Sequence, residues 1–253
     1  MKNRAEAPIF HRAVCAGSKQ PLSQPGNCIR SFPARASYKG LGMERDMKLI
    51  PALACNIVIF AWTLYCMALY FIGEDRRPDL KKGCASLKFF TTLSNVFSAF
   101  ASAAWIIPEI RMLGGAAEEI GRGLFLWKFM GTVSVTVTLL TVLFFLGPNM
   151  GYKPLFEGSG LYLHLIGPVL ALLAFCLFEK GTRLSAGDAL FALLPTALYG
   201  SVYLYKVVGT GKDNGGWEDF YGFNKNGRWK VSIAAMLAAT QVIGLVIMLL
   251  HNL

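Results

Sequence analysis

Polar side chains inside long apolar runs are the residues of this sequence best able to do chemistry. A polar group without a partner is costly in hydrocarbon, so one that is kept there has a use. The richest segment reads Phe90-Thr91-Thr92-Leu93-Ser94-Asn95-Val96-Phe97-Ser98. Thr91, Ser94, Asn95, Ser98 and Ser102 recur at i, i+3, i+4, i+7 and i+11, which puts all five on one helical face. That face must point into a bundle, where it bonds neighbouring helices or lines a polar cavity.

His164 is the only histidine within the first five apolar runs. A lone buried histidine is commonly a packing residue, yet an ionisable group in such a run is by default a functional candidate. Gly167, Pro168 and Ala171 follow it at i+3, i+4 and i+7, a small-residue face that lets a helix or a ligand come close. With helices alternating in direction, Thr91 and His164 lie roughly 5 to 6 Å inside the same membrane face. The loop segment Trp217-Glu218-Asp219-Phe220-Tyr221-Gly222-Phe223-Asn224 belongs to that face as well. It reads as an interfacial aromatic belt, or as a lid over a cavity floored by Thr91, Asn95 and His164. Ser134, Thr138 and Thr141 share a face of the third run and could line the same space or simply pack. Pro195, Tyr199 and Tyr203 form a stripe on the fifth, read as a kink with aromatic packing.

The elements that carry these residues follow from composition. Of 253 residues 54% are hydrophobic and 16% charged, where a soluble domain would hold nearer a quarter charged. Uncharged runs occupy 49–73, 89–108, 161–178, 189–205 and 231–250, and a sixth, 124–146, holds one charge, Lys128. Crossing a bilayer takes roughly 17 to 25 apolar residues, which all six runs supply. Lys128 is expected to snorkel from its run's end to the headgroups. Only 131–138 alternates as a barrel strand would. The reading is therefore an all-α, polytopic membrane protein: a six-helix transmembrane bundle over 47–253 with short loops.

Residues 1–46 are basic, polar and aperiodic, so they are expected to be a disordered tail. They lack the compact apolar core of a secretory signal. An organelle transit peptide, or an over-long start with the natural one at Met43 or Met47, are the alternatives, the second favoured. The net charge of +10 sits in this tail and in loops beside the spans, which implies lipid headgroups rather than nucleic acid as partner. Lys and Arg divide nearly evenly between the two faces, so they do not orient the chain. The six cysteines have no CxxC spacing and the histidines number three, so neither a metal site nor another cofactor is predicted.

Three segments carry a family resemblance. Phe90-Thr91-Thr92-Leu93-Ser94-Asn95 resembles the FTxxSN signature of the bacterial six-helix membrane family called Pr6Pr. His164 with Pro168 resembles its HxxxP element, and Phe220-Tyr221-Gly222-Phe223-Asn224 its aromatic segment before the last helix, here with Gly222 and no proline. The match runs from about residue 48 to the end, in the same order. It implies a multi-pass protein of the bacterial cell membrane. That family is in turn distantly similar to the androgen-induced membrane hydrolases, which cleave lipid esters with an intramembrane threonine and histidine. The resemblance implies Thr91 as nucleophile, with Thr92 as the competing choice, and His164 as base. A threonine hydroxyl needs such a base to attack an ester. Asn95 would then serve the oxyanion, and Ser94, Asp219 and Tyr221 would line the substrate cavity.

Two functions stay open at this point. One is a lipid ester hydrolase or acyl-transfer enzyme acting on a fatty-acyl substrate. The other is a non-catalytic protein that binds or moves a small lipid-like ligand through the same cavity. A Thr91–His164 hydrogen bond would favour the first, and a histidine bonded only to backbone the second.

Overall fold

The computed structural model describes residues 36–72, 77–116 and 120–253, with the side chains of 36–46 and of Asp213 outside the description. Among the described residues, six helices are long and apolar enough to cross a membrane. They are α1 (Met47–Tyr70), α2 (Phe90–Leu113), α3 (Arg122–Met150), α4 (Ser159–Phe178), α5 (Ala186–Thr210) and α6 (Trp229–Asn252). No strand occurs among the described residues. Of the expected tail, 1–35 lies outside the described residues, while the backbone of 36–46 is helical and continuous with α1.

Helices α1 to α4 pack each against the next, and α4 closes back on α1. Helices α5 and α6 pair with one another and lean on α3 from the other side. This makes α3 the hub: 61% of its apolar window is buried, against 17% for α6. Large apolar side chains such as Phe144, Leu198 and Val242 face outward, as they must where the solvent is lipid.

Small residues bring α2 and α3 together. A Cβ on Gly131 would lie 3.1 Å from the Ser98 Cα, closer than ordinary packing allows. The predicted polar face of α2 is turned inward there, with Ser94, Asn95, Ser98 and Ser102 all buried. Ser94 and Thr138 share a hydroxyl hydrogen bond of 2.9 Å.

Two of the helices are widened by a π turn just before a Gly-Pro pair: Val142–Leu146 before Gly147-Pro148, and Tyr162–Ile166 before Gly167-Pro168. Proline has no N–H to give and its ring crowds the carbonyl four residues earlier, so the turn expands. In α3 the Tyr152 hydroxyl donates to the Leu143 carbonyl (2.9 Å) and the Asn149 amide to that of Phe145 (2.6 Å). Pro195 acts similarly in α5, where regular helix breaks at Ala192.

Candidate functional site

The polar residues gather in two places, at opposite faces of the bundle. At the face where α2 and α4 begin, a cavity of about 680 Å³ lies between α3 and α6. Its walls are apolar, with Val142, Phe144, Met236, Ala239 and Ile243 among them. Phe144 and Val242 are exposed on the outer surface, so the mouth opens toward lipid. The hydroxyl groups of its lining belong to Thr91, Thr138, Thr141, Tyr199, Tyr221 and Ser232.

The loop after α5 forms the roof, and Asp219 shapes it. The Asp219 carboxylate accepts from the Tyr203 hydroxyl and from the backbone N–H groups of Phe223 and Asn224, each at 2.8 Å. Tyr203 in turn accepts from the Tyr221 N–H at 3.0 Å. These bonds and the rings of Tyr203, Phe220, Tyr221 and Phe223 set the loop in one conformation. The Tyr221 hydroxyl is thereby brought to the start of α2, where it accepts from the Phe90 N–H at 3.0 Å and meets the Thr91 side chain and the Tyr199 hydroxyl. Burial pushes the Tyr221 phenol above its ordinary value, against those hydrogen bonds, which pull it down. It stays a neutral donor and acceptor, not a base.

His164 lies within the π turn of α4 and is half-buried. Its Nδ1 is 2.6 Å from the Leu155 carbonyl. A carbonyl only accepts, so Nδ1 carries the proton and Nε2 is left as the acceptor nitrogen. Gly160 makes the contact possible, since a Cβ there would come within 2.6 Å of the Leu155 oxygen. No hydrogen bond joins His164 to Thr91 or Thr92 among the described residues, and His164 is not part of the cavity lining. Asn95 bridges the two regions: its amide donates to the carbonyls of Thr91 (2.8 Å) and Leu163 (2.9 Å). Thr91, Ser94's partner Thr138, and Tyr221 are thus brought together. Asn95 meets the backbone beside His164, while Thr92 is buried and Asp219 bonds within the loop after α5.

At the opposite face the structure corrects one expectation. Lys128 does not snorkel; it is fully buried, and its ammonium lies 3.2 Å from the Glu179 carboxylate. It also donates to Ser102 Oγ at 2.8 Å and to Asn56 Oδ1. The Asn56 amide donates to both oxygens of Glu109 (3.1 and 3.2 Å) and to Glu179 Oε1 (2.9 Å). The neighbouring helices leave no water for the ammonium to reach, so it pairs inside. Glu109 and Glu179 each directly follow an apolar run, so hydropathy alone leaves both outside the spans. The signal that finds them is Lys128 itself, a cation in a span on the face where those two acids begin their loops.

Comparison with protein-family models, with curated proteins and with solved structures finds no match to this chain.

Proposed function

We propose that this integral membrane protein binds a single-chain, lipid-like amphiphile in the cavity between α3 and α6, with the polar end of the ligand at Thr91 and Tyr221. The observation that carries this reading is the 680 Å³ cavity itself, walled mainly by apolar side chains, with the hydroxyl of Tyr221 meeting Thr91 in its lining. Its volume falls in the range of small-molecule sites, roughly 300 to 1,000 Å³. The α6 wall from Ser232 to Ile243 extends roughly 16 Å at helical rise, suited to one acyl chain lying along it. The hydroxyls supply orientation without charge, as a neutral or weakly polar headgroup requires. The resemblance noted above implies the bacterial cell membrane as the host bilayer.

Photo-crosslinking with a diazirine-bearing fatty acid tests the reading. Label is expected on peptides containing Phe144 and Met236, and it should fall in Ala239→Trp, which fills the cavity. Unchanged labelling in that variant, at positions scattered over the lipid-facing surface, refutes it.

A second reading, lipid ester hydrolysis or acyl transfer, is favoured by one observation. The Leu155 carbonyl holds His164 in the tautomer whose Nε2 could take a proton. Binding comes first because Thr91 meets Tyr221 and His164 meets backbone. A fluorophosphonate lipid probe separates the two readings. Covalent labelling lost in Thr91→Ala or Thr92→Ala, and also in His164→Ala, would establish the enzyme.

A further inference from the structure

The buried charge cluster at the other face is short of hydrogen. Lys128 has three ammonium protons, directed at Asn56 Oδ1, Ser102 Oγ and Glu179 Oε1. Asn56 has two amide protons, and these serve Glu109 and Glu179 Oε1. Both oxygens of Glu109 therefore share one donor, and Glu179 Oε2 is buried with no partner among the described residues. Two ionised carboxylates would also face one ammonium, leaving an excess negative charge where the side chains of Lys128 and Glu179 are fully enclosed and Glu109 is 0% exposed. Such a charge in a low-dielectric interior is strongly disfavoured. One more proton removes both deficits together: it supplies the missing donor and neutralises the excess charge.

We propose that Glu109 and Glu179 hold one exchangeable proton between them, forming a proton-binding site on the membrane face opposite the lipid cavity. Both carboxylates lie within hydrogen-bond distance of the same Asn56 nitrogen, which holds them as a pair. Both also border a second cavity, of about 620 Å³, with Lys48, Lys180 and Arg183 among its other wall residues. This cavity gives a route between the pair and that face. Intramembrane carboxylates paired with a lysine are the groups from which proton relays are built.

The other titratable groups around the pair are differently engaged. From α1, the thiol of Cys55 lies beside the cluster, as that of Cys176 does from α4. Lys180 caps the end of α6, donating to the Leu250 carbonyl at 3.3 Å and to that of His251 at 2.5 Å. The ring of His251 on α6 stands between the carbonyls of Phe175 (2.9 Å) and Thr182 (3.2 Å). It is the nearest rival for the proton. The site rests on none of the geometry of the lipid cavity and stands whether or not a lipid binds there.

The test is pH-difference infrared spectroscopy of the full chain in nanodiscs, in sodium-free buffer. A protonated-carboxyl C=O stretch is expected at neutral pH, and it should be lost as the pH is raised. It should also be absent at neutral pH from Glu109→Gln and from Glu179→Gln, since either variant leaves one carboxylate to one ammonium. Three results overturn the proposal. One is a wild-type spectrum without the band, a measurement that does not depend on any variant folding. Another is an alkaline step that survives both glutamine variants and is lost in His251→Gln. The third is a band displaced by sodium at constant pH, which would make the site a metal-cation site.

Discussion

Replacing Lys128 by methionine removes the ammonium while keeping an unbranched side chain of similar reach, so the substitution reads the charge and not a void. Three hydrogen bonds go with it, to Asn56, Ser102 and Glu179. What is left behind is costlier than what is lost, because the Glu179 carboxylate remains enclosed without a cation. Removing one partner from a buried pair destabilises by about 3 to 5 kcal/mol, while surface pairs contribute about 0.2 to 1 kcal/mol. At about 1.4 kcal/mol per factor of ten, the lower figure already means a loss of more than about 100-fold in the folded-to-unfolded ratio. Reversible unfolding in mixed micelles of lipid and denaturing detergent measures this. Adding Glu179→Gln to Lys128→Met removes the stranded charge and should recover most of the loss. A cost below about 1 kcal/mol for Lys128→Met, with no recovery in the double variant, is what a snorkelling lysine would give. That outcome would refute the buried cluster.

Further expectations concern the helix contacts and the loop after α5. Thr138→Val breaks the Ser94–Thr138 bond and should cost about 0.6 kcal/mol, near the mean for interhelical hydrogen bonds in membranes, in the same unfolding assay. Gly131→Leu forces α2 and α3 apart at Ser98 and should cost about 1 to 3 kcal/mol or more, with Gly131→Ala milder. Asp219→Ala frees two backbone donors of the loop and the Tyr203 hydroxyl of α5 at once, so hydrogen exchange at Tyr221, Phe223 and Asn224 should rise while exchange within α2 and α3 is unchanged. Gly160→Val should displace the Leu155 carbonyl and release His164, seen as a shift of its imidazole NMR resonances.

How far the sequence spoke for the fold depends on helix regularity. The spacing of Thr91, Ser94, Asn95, Ser98 and Ser102 predicts one inward face; in the structure the last four are buried and Thr91, at the helix start, is half-buried. Helical periodicity holds along that stretch because no proline interrupts it before Pro108. On α4 the same rule fails, because the π turn over Tyr162–Ile166 adds a residue to the turn that contains His164. Gly167, Pro168 and Ala171 are buried while His164 is only half-buried, so the four do not form the single face their spacing suggests. Asp219 shows another limit. A carboxylate in a loop can turn to any neighbour, and its choice of Phe223 and Asn224 depends on backbone donors that no spacing rule reports. The cluster around Lys128 does not show in hydropathy, because an apolar run ends at its first charge and so leaves out the two acids that explain the lysine.

The cluster has a consequence for how the chain is made. Asn56 and Glu109 are synthesised before Lys128, and Glu179 after it. When α3 enters the bilayer, the amide and the first carboxylate are already in place, and the second arrives only with the end of α4. The nascent intermediate thus has one acid for its one base, and is electrically balanced before the last partner appears. Inserting Lys128 would be harder if Glu109 came later in the chain. Glu109→Gln should therefore lower the fraction of chains that insert α3, read by glycosylation mapping of the loop after it, while the chains that do insert reach the same fold.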